Sequence, residues 1–188
     1  MADEQRSERE GGALTRLVAP VVAMVRGDRD EPTPGVEPAE SERSDMATVL
    51  VVDDEADVRL TLRTVLRSSE RLEVVGEASD GRQAIELTRE LEPDIVLLDL
   101  MMPEMDGREA APVIFREHPT TMIVVLSALS AADEAERLIA NGAFAYVEKS
   151  EMGPQLREGI ESLWQRFRRA LEGEEVWAPR SAYDTGNL

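Results

Sequence analysis

The chain has 188 residues, a 42% hydrophobic share and a formal net charge of −18. That is length for one ordinary domain with some to spare, and enough apolar content for a core, so wholesale disorder is excluded. With no cysteine there is no disulfide scaffold, thiolate metal site or thiol chemistry. The negative field repels nucleic acid and anionic lipid. The three arginines at 166, 168 and 169, beside glutamates, read as a solvated helix end, so direct DNA binding is not expected.

Residues 1–45 carry a net −5, residues 46–170 a net −10 and residues 171–188 a net −3. The first segment reads as an acidic, flexible extension. An apolar run over 13–25 is interrupted by Arg16 and Pro20, and 27–45 is rich in Pro, Glu, Asp and Ser. Met1 is followed by acidic and basic residues together, unlike a secretory signal, and no apolar run has the length of a membrane helix. The expected location is therefore the cytoplasm. Met46 stands just before the first strand pattern and is a candidate for an alternative start of translation.

From there apolar strands and helical patterns alternate. Residues 48–52 predict a buried strand, 58–66 a helix and 72–75 a short strand. Ser79-Asp80-Gly81 turns the chain into a helix over 83–91. Pro93 precedes a strand at 95–98. A weaker helix spans 108–117, where Pro112 should delay its start or kink it. Strand 122–126, helix 132–140, strand 143–147 and helix 154–171 complete the series. In the last helix Leu156, Ile160, Leu163 and Phe167 share one face, with Trp164 packing beside it. Five apolar strands alternating with helices imply an α/β fold, a parallel sheet covered on both faces. Only 17 residues follow Leu171, too few for an attached output domain.

Acidic residues close two of these strands, Asp53 and Asp54 after the first and Asp99 after the third. Ligands bind at that end of an open α/β sheet. Carboxylates gathered there repel one another, and a hard cation such as Mg²⁺ relieves the repulsion. A helix cap explains one such Asp but explains the set less well. Ser127 follows the fourth strand as a hydroxyl donor. Lys149, the single lysine beside twenty arginines, follows the fifth as a compact point charge. These are the parts that phosphoryl transfer requires: a nucleophile, a metal and donors for equatorial oxygens.

The run Val49-Leu50-Val51-Val52-Asp53-Asp54-Glu55 resembles the first strand and acidic pair of response-regulator receivers of the CheY-like superfamily. Asp94-Ile95-Val96-Leu97-Leu98-Asp99-Leu100-Met101-Met102-Pro103-Glu104-Met105-Asp106-Gly107 resembles their phosphorylation segment. Ser127-Ala128 and Gly142-Ala143 leading to Tyr146 and Lys149 are similar to the remaining landmarks. The resemblance implies a flavodoxin-like doubly wound sheet with strand order 2-1-3-4-5. It implies Asp99 as phosphoacceptor, Mg²⁺ held by Asp53, Asp54, Asp99 and the Met101 backbone carbonyl, and Ser127 and Tyr146 as switch residues with Lys149 as charge partner. It further implies a two-component switch without a fused output domain, fed by a sensor histidine kinase or phosphotransfer protein. Such a switch catalyses only its own phosphorylation and slow dephosphorylation. It signals to a protein target, or associates with itself, through the fourth helix, fifth strand and last helix.

The chain departs from the family in three places. Ser150 stands where a proline usually follows the lysine, so a trans bond or local strain is expected there. Ala145 replaces a frequent glycine, and Pro112 lies inside the third helix. Two other readings compete. One is an adaptor of the same fold that acts mainly by binding. The other is a haloacid-dehalogenase-like phosphatase, which would want a second Asp two residues after the nucleophile, where this chain has Met101. His118, the single histidine, lies in a loop and is a poor phosphoryl donor.

Overall fold

The computed structural model describes residues 46–128, 142–153 and 155–173. The helix expected over 132–140 and the segment 1–45 lie outside them. The described elements run β1 (Ala47–Val52), α1 (Ala56–Leu66), β2 (Leu72–Ala78), α2 (Gly81–Leu91), β3 (Ile95–Asp99), α3 (Gly107–Glu117), β4 (Met122–Ser127), β5 (Ala145–Glu148) and α4 (Leu156–Glu172). All the strand pairs are parallel, in the order β2-β1-β3-β4-β5.

Side chains alternate across a strand, and the core divides accordingly. Val49, Val51, Ile95 and Leu97 pack with Leu62 and Leu66 of α1 and Leu156, Ile160, Leu163 and Phe167 of α4. Leu50, Val52, Val96 and Leu98 point the other way, against Ala84 and Ile85 of α2 and Ala110, Ala111 and Ile114 of α3. The two layers of helices follow from the route of the chain. It leaves β1 toward β2 on one side, then returns past β1 to place β3 on the other. The reversal opens a crevice beyond the C-terminal ends of β1 and β3, where such folds bind ligands.

Three local outcomes differ from the sequence pattern. β2 continues past Val75 to Ala78, because Gly76, Glu77 and Ala78 pair with Leu50, Val51 and Val52 across an irregularity that skips one residue. Ladder pairing there outweighs the weak strand preference of Gly and Glu. β5 begins at Ala145, two residues later than expected. Pro112 does not delay α3, which starts at Gly107 on a capping box. The Asp106 side chain accepts from the Glu109 N–H, and the Glu109 side chain accepts from the Asp106 N–H. No cis peptide occurs among the described residues. Lys149–Ser150 is therefore trans, and residues Lys149–Glu151 form a 3₁₀ turn.

Trp164 is half-buried and stacks on Phe167, with ring centroids 5.8 Å apart, and Phe167 meets Phe144 edge-on at 4.8 Å. It is an edge of the core, as its position beside the apolar stripe predicts. His118 closes α3 as its C-cap residue.

Candidate functional site: an acidic crevice at the strand ends

Asp53 follows the last residue of β1, and Asp99 is the last residue of β3. Because β1 and β3 are neighbours with Val52 opposite Leu98, the two carboxylates emerge side by side. Asp53 is fully buried and Asp99 is 3% exposed, whereas Asp54 lies on the rim, exposed. One carboxylate oxygen from each of the three comes within 4.8 Å of the others.

Lys149 comes from the far edge of the sheet to meet them. Its Nζ sits 2.8 Å from Asp53 Oδ2 and 2.9 Å from Asp99 Oδ2. Both contacts are ion pairs, and Asp53 Oδ2 is fully buried with the Lys149 ammonium as its close partner. Asp53 Oδ1 accepts the Glu55 N–H at 3.0 Å, and Asp99 Oδ1 accepts the Met101 N–H at 3.3 Å. Burial pushes the Asp99 carboxyl above its ordinary range, and the Lys149 ammonium offsets this only in part. For Lys149 burial alone acts downward, but its bonds to Asp53 and Asp99 prevail and hold the ammonium above its usual value.

A crevice of about 270 Å³ opens over this cluster, lined by Asp54, Asp99, Met101, Ser127 and Lys149 among others. Ser127 ends β4 and is buried. Met101 is 63% exposed at the mouth. Tyr146, on β5 opposite Val125, is half-buried and packs against the small cluster of Leu100, Val125 and Ala143. The structure thus brings Asp53, Asp54, Asp99, Ser127, Lys149 and Met101 together and leaves Tyr146 one layer behind. Three carboxylate oxygens this close, against a single ammonium, leave negative charge that suits a hard divalent cation, so the cluster is capable of holding a metal ion.

Two residues of this corner escaped the sequence reading. Arg108, at the start of α3, lines the crevice. Arg59 donates to the backbone of Asp53 and Asp54. Arg59 lies one turn into the helix that follows the acidic pair, a position from which a long side chain reaches back over the preceding loop.

Residues 49–161 match the family model described as the response regulator receiver domain. The chain belongs to that family. A receiver domain is a phosphorylation-based signalling switch whose chemistry is confined to its own aspartate, and the aspartate cluster here is placed for that chemistry. Among curated relatives, the chain is 44% identical over 128 residues to the transcriptional regulatory protein PdtaR of Mycobacterium tuberculosis, an alignment covering 67% of this chain and 62% of PdtaR. It spans about three fifths of the length of the curated relatives it matches. Among solved structures, the response regulator domain of Thermotoga maritima CheB aligns with TM-score 0.55 and 32% identity, over 68% of this chain and 97% of that one. The CheX–CheY–BeF3–Mg²⁺ complex from Borrelia burgdorferi aligns with TM-score 0.52 and 28% identity, over 55% and 78%. No helix among the described residues is long and apolar enough to cross a membrane.

Proposed function

We propose that this receiver, spanning residues 46–170 between an acidic extension and a short acidic tail, takes a phosphoryl group on Asp99 from a histidine kinase or a phosphotransfer protein. The observation that carries the proposal is the Lys149 ammonium, which bridges Asp53 and Asp99 at 2.8 and 2.9 Å beneath an open crevice rimmed by Ser127. In the transfer an Asp99 oxygen attacks phosphorus and the P–N bond to the donor imidazole breaks. The imidazole keeps the electron pair and takes up a proton, and an acyl phosphate remains. Lys149 supports the charged form of Asp99 against burial and then pairs with the phosphoryl oxygens. The Ser127 hydroxyl donates to one of those oxygens.

Asp53, Asp54 and Asp99, with the Met101 carbonyl, would hold Mg²⁺, which would supply charge neutralisation for the incoming phosphoryl group. The BeF3 and Mg²⁺ of the Borrelia CheY complex support this choice of ion. Output would pass through Ser127 and Tyr146 to the face formed by the fourth helix, β5 and α4. The fourth helix of this face is the one expected from the sequence over 132–140, and α4 is the last helix; the face would engage a protein target or a second copy of the chain, as a shift between two states with different contacts.

Intact-mass measurement after addition of a small phosphodonor is the test. With Mg²⁺ the wild type gains one phosphoryl group, and Asp99→Asn gains none. Equal labelling of the variant refutes the assignment.

Lifetime is a second expected outcome. Hydrolysis of the acyl phosphate needs a water held in line with the scissile bond. Met101 presents a thioether at the mouth of the crevice, a group that orients a water only weakly. Decay in Mg²⁺ is expected to be slow, and Met101→Asn is expected to speed it roughly tenfold, on the scale of positional effects. Decay of wild type within seconds, or an unchanged rate in the variant, contradicts this.

A further inference from the structure

We infer that Arg59 is the positioning residue of the acidic pair, and that through it Glu77 governs how tightly the crevice takes a divalent cation. This inference rests on the reading of the crevice as a Mg²⁺ site.

The backbone between β1 and α1 leaves two carbonyls without regular partners. The ladders of β1 with β2 and with β3 both end at Val52, and the first helical bonds of α1 are accepted by the Glu55 carbonyl. The Asp53 and Asp54 carbonyls fall in the gap. Arg59 Nη1 fills it, donating to Asp53 O at 2.6 Å and to Asp54 O at 3.2 Å. Its Nε lies 3.4 Å from Glu77 Oε2 at the end of β2, and the other Glu77 oxygen takes Arg63 Nη1 at 3.1 Å. The Arg59 side chain is only 19% exposed. A planar fork is therefore held from one side by a strand and on the other side holds two successive peptides. With those peptides tied to α1, Asp53 keeps Oδ1 on the Glu55 N–H and Oδ2 toward Lys149. Lysine carries the same charge but lacks the fork needed to serve both carbonyls and Glu77 together.

Positioning and simple electrostatics predict opposite signs, which makes the inference testable. Arg59 is a cation close to a proposed cation site, so by charge alone its removal tightens Mg²⁺ binding. If its role is to orient the ligands, its removal weakens binding by about tenfold or more, the scale seen when a group that orients a metal ligand is lost.

The experiment is Mg²⁺ titration of the full chain by calorimetry, for wild type, Arg59→Gln, Arg59→Lys and Glu77→Gln. Amide spectra of the metal-free proteins are recorded alongside. Weaker binding in both Arg59 variants is expected, with a smaller loss in Glu77→Gln and displaced Asp53, Asp54 and Glu55 amide signals in all three. Unchanged or tighter binding in Arg59→Gln overturns the inference. So does full rescue by Arg59→Lys, which would leave charge as the whole effect. Should Arg59→Gln not fold, Arg59→Lys decides by the same criteria, since it keeps the charge and loses the fork; Glu77→Gln removes a negative charge and weakens binding on either account, so for it the displaced or unmoved amide signals decide. Should wild type bind no Mg²⁺, the metal reading fails separately, and the metal-free amide signals decide whether Arg59 orients the pair: displaced signals uphold that part, unmoved signals overturn it.

Discussion

Replacing Lys149 with alanine is expected to destabilise the domain by about 3–5 kcal/mol at neutral pH, the cost of leaving a buried charge without its partner. The ammonium pairs with Asp53, fully buried, and Asp99, 3% exposed, and is itself mostly sheltered. Once it is gone, two neighbouring carboxylates face each other with little solvent between them. A loss of that size lowers the melting temperature by roughly 10–20 °C for a domain of this length.

The pH dependence has a definite sign. The Asp99 carboxyl is already held above its ordinary range, chiefly by burial, and losing Lys149 removes the main opposing influence. A carboxyl whose folded-state value lies above its unfolded value binds protons more tightly when folded. Its stabilising contribution is complete below the unfolded value and is lost as pH climbs through the folded one. The deficit of Lys149→Ala is therefore largest under alkaline conditions and shrinks as pH falls through the raised folded-state value of Asp99 toward the ordinary carboxylate range. Adding Asp99→Asn to Lys149→Ala should recover much of the loss by removing one of the two repelling charges. Urea denaturation of the single and double variants across pH checks both statements. A pH-independent deficit below about 1 kcal/mol contradicts the buried-pair account.

Gly107→Ala is expected to cost roughly 3 kcal/mol, at the upper end of overpacking penalties, because the obstacle is backbone and cannot swing aside. A Cβ on Gly107 would run into the Asp99 carbonyl oxygen and lie 3.0 Å from Leu100 Cα. The Gly107 N–H also donates to Leu100 O at 3.1 Å. Helix α3 thus starts directly against the end of the strand that carries Asp99, and a methyl group must push one of them away. Phosphoryl uptake should fall together with stability, since the displaced segment carries the acceptor. Thermal denaturation with mass-based labelling measures the two together. A stability change within about 0.5 kcal/mol, the range of neutral surface substitutions, refutes the close approach.

Much of this protein is legible from residue order. The continuous apolar runs, such as Val49-Leu50-Val51-Val52, have to be buried on both faces, and their alternation with amphipathic helices implies a parallel sheet between two helical layers. The Asp, Ser and Lys residues at the strand ends are likewise visible along the chain, since each directly ends or follows an apolar run.

Other features required the tertiary structure, because they depend on which strand ends become neighbours. Asp53 and Asp54 are adjacent and chemically identical, yet one is fully buried and the other exposed; the packing of β1 between β2 and β3 decides which. Lys149, on the turn after the edge strand β5, reaches both buried carboxylates, a contact that no spacing in the sequence encodes. The extension of β2 through Gly76 and Glu77 comes from pairing with β1 and not from local preference. That extension brings Glu77 to Arg59, and Arg59 to the two carbonyls behind the acidic pair. Local propensity and periodicity report what each segment does alone; the geometry of a charged site is set by long-range contacts, whose energies appear only once the segments have packed.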